Sequence, residues 1–118
     1  VIAEIHECSL NENVTASDVV ALGSGEFKNF VTKNKLNMNS YLWEAVAINA
    51  PYDGADLRWV NYFPTWKDQS SADQLWRKNA TKIQEKIYKQ NLSDITTHKI
   101  ITGKATPGVN YYHTLKSL

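Results

Sequence analysis

Four stretches of the chain have the apolar pattern of β-strands. Residues 1–8 nearly alternate between apolar and polar side chains, which is the two-residue period of a strand. Residues 41–50 and 57–66 are apolar, aromatic and β-branched. They flank residues 51–56, which have the composition of a turn, so the two runs predict an antiparallel hairpin. Residues 94–102 are rich in Ile and Thr and predict a fourth strand.

Two further stretches have helical spacing. Ser17 is a candidate N-cap, because the apolar residues of 19–31 recur at roughly helical spacing, and Gly23-Ser24-Gly25 is predicted to interrupt or kink this helix. Ser71 followed three residues later by Gln74 is a capping-box signature and predicts the start of a second helix. The apolar stripe of that second helix is Trp76, Ala80, Ile83 and Ile87.

The resulting order is strand, helix, strand, strand, helix, strand. In this order each half of the chain can form one right-handed split βαβ unit, so the predicted fold class is α+β, a ferredoxin-like βαββαβ plait with an antiparallel sheet. No repeat or linker divides residues 1–118, so we expect a single domain. The tail from Val109 to Leu118 is expected to dock on another part of the structure.

Composition narrows the classes of partner. The chain has 118 residues, a formal net charge of +1, 42% hydrophobic and 21% charged residues, which is typical of a globular domain. The small net charge argues against nucleic acid, and the lysines of the second helix are interpreted as its solvated face. No apolar run is long enough to span a membrane, so we expect a soluble protein without a membrane partner. The sequence is compatible with a cytoplasmic protein and with a protein exported after removal of a leader.

Cysteine and histidine content gives little support for a metal site. Cys8 is the only cysteine, which excludes an internal disulfide and a cysteine-based zinc cluster. His6 in the first strand and His98 in the fourth can approach each other, because those strands are neighbours in a plait. Two histidines without a third ligand at a readable spacing do not predict a metal site. We therefore predict no metal and no cofactor.

The hairpin runs Leu42–Val46 and Leu57–Trp66, together with the helix after them, resemble the dimeric α+β barrel superfamily over nearly the whole chain. The resemblance implies a homodimer in which two plaits place their sheets face to face. It also implies a pocket between the sheet and the helices. Members of this superfamily include cofactor-free quinone-forming monooxygenases and haem-degrading and haem-peroxidase enzymes. The RNA-recognition motif fits less well, because the third strand lacks its glycine pattern and the first strand has no aromatic residue.

The hairpin concentrates aromatic residues that are suited either to a pocket for a flat apolar ligand or to a core and dimer interface. The candidate ligand-binding residues are Trp43, Trp59, Asn61, Tyr62, Trp66 and His98. The candidate catalytic residues are Glu44, Asn61 and Tyr62.

The register of the hairpin determines the role of its two charged residues, Glu44 and Arg58. If Glu44 and Arg58 share a face, a salt bridge inside the barrel is the simplest interpretation. If the register shifts by one residue, Glu44 instead joins Trp59 and Asn61 around one cavity. A carboxylate, an amide and an indole in one cavity are groups that orient a ligand or remove a proton.

Three functional hypotheses follow. The first is a homodimer that binds a small apolar or aromatic molecule in the pocket. The second is a cofactor-free monooxygenase in which Asn61, Trp59 or Trp66 and Tyr62 hold an activated aromatic substrate. The third is a purely structural dimer in which the tail latches onto the partner subunit. An enclosed cavity of roughly 300 Å³ or more in each subunit would separate binding from a purely structural role.

Overall fold

A computed structural model describes residues 1–47, 56–94, 99–101 and 111–118 of the chain. Their strands form one antiparallel sheet in the order β4-β1-β3-β2-β6, with β5 also paired to β1. The strands are β1 (Ile2–Leu10), β2 (Asn39–Ala47), β3 (Leu57–Phe63), β4 (Leu92–Asp94), β5 (Lys99–Ile101) and β6 (Tyr111–Ser117). With the helices that pack on this sheet, the chain is an α+β protein, which confirms the predicted class.

Helical structure falls in two stretches of the described chain. The first comprises α1 (Ala16–Leu22), a π-helical segment (Gly23–Phe27) and α2 (Lys28–Lys33). The second comprises α3 (Trp66–Asn79), α4 (Thr81–Glu85) and a second π-helical segment (Lys86–Asn91). None of the described helices is long and apolar enough to cross a bilayer.

The first helix begins at Thr15, so the predicted cap at Ser17 is wrong by two residues. Thr15 accepts a hydrogen bond from the backbone N–H of Asp18, whose carboxylate in turn accepts from the Thr15 N–H. The helix then passes through Gly23 as a π-helical segment and continues, so the glycines change its winding without ending it. A Cβ at Gly23 would lie 2.9 Å from Leu118 Cδ2, so a larger residue there requires the Leu118 side chain to move.

Helix α3 also begins earlier than predicted. Thr65 is its N-cap and accepts from the Asp68 N–H at 3.2 Å, whereas Ser71 lies inside the helix on its exposed side. The predicted start at Ser71 is therefore wrong, because the Thr65 cap acts first. The predicted apolar stripe does face the core, although it is divided between α3, α4 and the segment after α4.

Pairing in the sheet decides which strand residues face the helices. Glu4 lies opposite Asn61 and His6 lies opposite Trp59 in the β1–β3 ladder, while Ser40 lies opposite Asn61 in the β2–β3 ladder. Residues directly opposite each other point to the same face of a sheet, so these five side chains share one face. That face packs on the helices, because Trp59 belongs to a core cluster that also holds helix residues such as Val19, Leu22, Phe27 and Ile87.

Residues 111–118, the described part of the tail, form the edge of the sheet within the same chain. Strand β6 pairs antiparallel with β2, and the N–H of Leu118 donates to the Ser40 carbonyl at 2.8 Å. The predicted fourth strand, 94–102, contains β5 and overlaps β4 only at Asp94; both strands pair with β1, and residues 95–98 and 102 lie outside the described part. The predicted hairpin turn also lies mostly outside it, although the antiparallel pairing of β2 with β3 is confirmed.

Candidate ligand-binding cavity

A cavity of about 230 Å³ lies between the sheet and the helices. Its walls are largely aromatic and aliphatic, and one end is formed by polar side chains of β1 and β3. The volume does not reach the roughly 300 Å³ set above as the criterion for a binding role, which is the lower end of ordinary ligand pockets. It exceeds the roughly 150 Å³ that is sufficient for benzene. The cavity therefore matches one substituted ring. The apolar lining includes Phe27, Phe30, Met38, Phe63, Trp76 and Ile87.

Glu4 is the central group of the polar end. Its Oε1 lies 3.0 Å from His6 Nε2 and accepts from Asn61 Nδ2 at 3.1 Å, while its Oε2 accepts from Gln69 Nε2 at 3.2 Å. The residue is only 8% exposed. Burial by itself raises the pKa of this carboxyl, but the hydrogen bonds from His6, Asn61 and Gln69 outweigh it and lower the pKa to about 2. Glu4 is therefore a buried carboxylate that stays ionised at neutral pH.

The Asn61 amide has a defined orientation. Its Oδ1 accepts from Ser40 Oγ at 2.6 Å and from Trp59 Nε1 at 3.2 Å, which leaves its Nδ2 to donate to Glu4. Ser40 and Trp59 donate to one side of the Asn61 amide, and Glu4 accepts on the other side. Only one assignment of the amide oxygen and nitrogen is compatible with these partners. The network therefore links β1, β2 and β3 and reaches α3 through Gln69.

Edge-to-face ring contacts hold the aromatic wall. Phe27 packs against Trp59 with ring centroids 4.8 Å apart at 82°, and against Trp76 at 5.8 Å and 68°. Phe30 meets Trp76 at 5.6 Å and 80°. Such geometry is the favoured one for aromatic pairs and limits the movement of each ring. The wall is thus an ordered aromatic surface.

The rim of the cavity carries exposed polar side chains. Arg77 Nε lies 3.0 Å from Asp73 Oδ2, four residues earlier on α3, and the Arg77 side chain is 78% exposed. Tyr88, from the second π-helical segment, also lines the cavity and is exposed. These residues mark the side on which the cavity meets solvent.

Four of the sequence-predicted residues divide between the two faces of the sheet. Trp59 and Asn61 line the cavity together. Trp43 and Tyr62 lie on the opposite face, because Trp43 is paired with Arg58 and Tyr62 with Ala3 and Asn39. There they line a separate hollow together with Tyr41.

The remaining predicted residues lie away from the cavity or outside the described part. Glu44 is exposed, and Trp43 rather than Glu44 is directly opposite Arg58, so Glu44 and Arg58 are on different faces. Glu44 is on the face of Trp59 and Asn61 without lining their cavity. Trp66 is 53% exposed at the start of α3. His98 lies outside the described residues.

The face of the sheet turned away from the helices is also aromatic. Trp43 stacks on Tyr112 with centroids 5.3 Å apart at 26°, and Tyr41 meets Tyr62 edge-on at 5.8 Å. The Arg58 guanidinium is 5.6 Å from the centre of the Tyr112 ring and is 2% exposed. Burial, and secondarily the neighbouring Tyr41, raise the pKa of Tyr62. We call Tyr41, Trp43, Tyr62 and Tyr112 the outer aromatic face.

Sequence reasoning missed Glu4 at the polar end and its supporting partners Ser40 and Gln69, and it considered His6 only as a possible metal ligand. A signal for two of them is present in the first strand. Glu4 and His6 are two residues apart, so they share a face with Ile2 and Cys8, which are both apolar. Polar residues flanked by apolar ones on the same strand face indicate a buried polar site. Nothing in the local sequence marks Ser40 or Gln69.

Comparisons with protein-family models, curated proteins and solved structures find no match to this chain. Among the described residues, no group of three or more His, Cys, Asp or Glu side chains is placed to hold a metal ion.

Proposed function

We propose that the protein binds a small aromatic molecule in the cavity between its sheet and its helices, as a homodimeric α+β barrel. The observation that carries the binding role is the polar end of an otherwise apolar cavity. There Glu4, His6 and Asn61 are held by mutual hydrogen bonds. An apolar pocket with a few fixed polar groups is the usual form of a small-molecule site.

The shape and chemistry of the cavity define the ligand. Phe27 and Trp76 offer ring surfaces, so the body of the ligand is flat and apolar. The volume of about 230 Å³ limits it to one ring with short substituents. A polar substituent directed at His6 or Asn61 fixes its orientation.

A cavity-filling variant tests this binding role. Ala72 is buried and lines the cavity, so Ala72→Leu places extra methyl groups inside it. Phenol titrated into wild type is expected to give a saturable change in tryptophan fluorescence that is lost in Ala72→Leu. Ala21→Leu adds the same atoms at an exposed position of α1 and is expected to bind normally.

Two results would contradict the binding role. One is the absence of saturable binding of phenol and similar one-ring compounds to wild type, which would favour a purely structural dimer. The other is equal binding by Ala72→Leu, once circular dichroism has shown that the variant is folded. Native mass spectrometry of the purified protein provides an independent check, since a retained ligand appears as added mass.

Strand order supports the barrel. The neighbours β4-β1-β3-β2 agree with the order expected of a ferredoxin-like plait, with helices connecting β1 to β2 and β3 to β4, and β6 extends the sheet beside β2. The outer aromatic face then lies where a second sheet would pack in a dimeric barrel. Tyr112 is 38% exposed on that face, so a second copy would remove apolar surface from water.

Sedimentation equilibrium tests the dimer. The expected mass is twice the 13.4 kDa of one chain. Tyr112→Glu is expected to dissociate the dimer, because it places a charge on the outer aromatic face. Trp66→Glu makes a similar change at an exposed site on α3 and is expected to leave the dimer intact. A wild-type mass of one chain at micromolar concentration would overturn the dimer.

A second candidate function is a cofactor-free monooxygenase. It is favoured by the meeting of Trp59 and Asn61 in one cavity, since these are two of the residues that this hypothesis assigns to substrate holding. Tyr62 and Trp66 lie elsewhere, so they do not support it. Oxygen consumption with a dihydroxybenzene is the test. Enzymatic turnover requires a rate above autoxidation that falls in Asn61→Ala, and a rate equal to autoxidation would exclude activity on that substrate.

A further inference from the structure

We propose that the cavity selects a neutral aromatic carbonyl compound, whose oxygen accepts a hydrogen bond from the side-chain amide of Asn61. This inference rests on the proposed binding function and names the class of its ligand. The class comprises ketones, aldehydes and amides that carry one aromatic ring, in keeping with the cavity volume of about 230 Å³.

The first argument is a hydrogen-bond donor on Asn61. The Asn61 oxygen accepts from the Ser40 hydroxyl and from the Trp59 indole, and an indole N–H can only donate. The amide nitrogen therefore carries two hydrogens, and one of them goes to Glu4 Oε1 at 3.1 Å. Within the part of the chain that the structure describes, the second hydrogen has no acceptor.

The second argument is the place of this donor. Asn61 is buried, and it lines the cavity. A buried N–H group without an acceptor is costly, so a ligand that supplies an acceptor there gains binding energy that an apolar ligand of the same shape does not. The polar substituent of the ligand is therefore a hydrogen-bond acceptor directed at Asn61 Nδ2.

The third argument is the charge of the cavity walls. His6 Nε2 lies 3.0 Å from Glu4 Oε1 at the polar end. Arg77 Nε lies 3.0 Å from Asp73 Oδ2 at the rim. Each of these four groups is thus already engaged with one that can carry the opposite charge. A charged ligand would lose its hydration in a largely apolar cavity without gaining a counter-ion of its own, and this cost favours a neutral ligand.

A carbonyl group attached to an aromatic ring meets both requirements. Its oxygen is neutral and accepts hydrogen bonds near the plane of the C=O group, which is also the plane of a conjugated ring. Such a molecule stays flat. Its ring can pack against Phe27 and Trp76 while its oxygen meets the Asn61 amide.

The test compares acetophenone with α-methylstyrene, in which a methylene group replaces the carbonyl oxygen and the shape is retained. Heteronuclear NMR titration measures the dissociation constants of both compounds. Asn61→Leu removes the donor and keeps a side chain of similar size. We expect it to weaken acetophenone binding about fivefold or more and α-methylstyrene binding less than about twofold. Asn79→Leu makes the same change at an exposed position of α3 and is expected to leave both affinities unchanged.

Infrared spectroscopy of wild type covers the case in which Asn61→Leu does not fold. A hydrogen bond to a carbonyl oxygen lowers its stretching frequency, so bound acetophenone is expected to absorb at a lower frequency than acetophenone in hexane. Titration with benzoate tests the preference for a neutral ligand, and we expect it to bind more weakly than acetophenone.

Three results would overturn the inference while binding itself stands. They are a bound carbonyl frequency equal to that in hexane, equal effects of Asn61→Leu on the two neutral compounds, and benzoate binding as tight as that of acetophenone. Absence of saturable binding of both acetophenone and α-methylstyrene to wild type would instead overturn the proposed function.

Discussion

Ser40 on β2 orients Asn61 on β3: its Oγ donates to Asn61 Oδ1 at 2.6 Å, and both residues are buried. The amide nitrogen of Asn61 then points to Glu4 on the other neighbouring strand, at 3.1 Å. The Ser40 hydroxyl, together with the Trp59 indole N–H, thus determines which end of the amide the carboxylate meets.

Ser40→Ala tests this relationship. Removing the hydroxyl takes one donor from the buried Asn61 oxygen, so we expect the free energy of unfolding to fall by about 1–2 kcal/mol. Urea denaturation measures the change. Ser71→Ala removes a hydroxyl from an exposed position of α3 and is expected to change stability by less than about 0.5 kcal/mol. Equal effects of the two substitutions would contradict the buried role of Ser40.

Glu4 makes stability depend on pH in the acid range. Its pKa is lowered in the folded protein from the ordinary 4.5 to about 2, so the unfolded chain binds more protons between these values. The stabilising contribution is therefore complete above about pH 4.5 and is lost as the pH falls towards 2. Its size is on the order of 3 kcal/mol.

The measurement is the difference in unfolding free energy between wild type and Glu4→Gln as a function of pH. We expect the advantage of wild type to shrink on acidification over this window. Glu12→Gln, which removes an exposed carboxylate, serves as the control for loss of a charge. A wild-type advantage that stays constant down to about pH 2 would refute the prediction.

Phe27 supports both the core and the cavity wall. Phe27→Ala removes a ring that contacts Trp59 and Trp76 edge-on, and large-to-small changes of this kind cost about 3–5 kcal/mol. Trp66→Ala removes a larger ring from an exposed position and is expected to cost less than about 1 kcal/mol. Chemical denaturation of the two variants compares them directly, and a larger loss in Trp66→Ala would show that the core is misplaced.

Gly23 and Leu118 are expected to be energetically coupled. Gly23 is helical, so Gly23→Ala gains about 1 kcal/mol of helix propensity, but its new Cβ meets the end of the Leu118 side chain at 2.9 Å. In the Leu118→Ala background that contact is absent, and the full gain should appear. A double-mutant cycle by urea denaturation tests this, and additivity within about 0.3 kcal/mol would mean that the two residues do not interact.

Local patterns predict the elements of this fold better than they predict its faces. The two-residue period of the first eight residues identifies β1, and the aromatic runs identify β2 and β3. The sequence does not determine the register of the hairpin, because Glu44 and Arg58 are plausible on either face of the sheet. Pairing with both β1 and β6 settles it, and those contacts are distant in sequence.

The candidate site was predictable only in part for the same reason. Trp59 and Asn61 are found by the concentration of polar and aromatic residues in β3. Gln69 reaches Glu4 from 65 positions away in sequence, and Ser40 reaches Asn61 from 21, so neither pairing has a local signature. The start of α3 differs from the predicted one because Thr65, which caps the helix by accepting from the Asp68 N–H, lies within the predicted strand 57–66.

The hydrogen bonds that join Ser40, Asn61 and Glu4 run across three strands, at positions that are directly opposite one another. A slip of β2 by one residue would bring Tyr41 in place of Ser40 opposite Asn61, and the hydrogen bond from Ser40 that orients the Asn61 amide would be lost. Under the proposed binding function, recognition of a ligand would therefore also depend on correct strand alignment. A compound that fits the cavity would bind only the properly registered chain and, by mass action, would act as a folding chaperone for it.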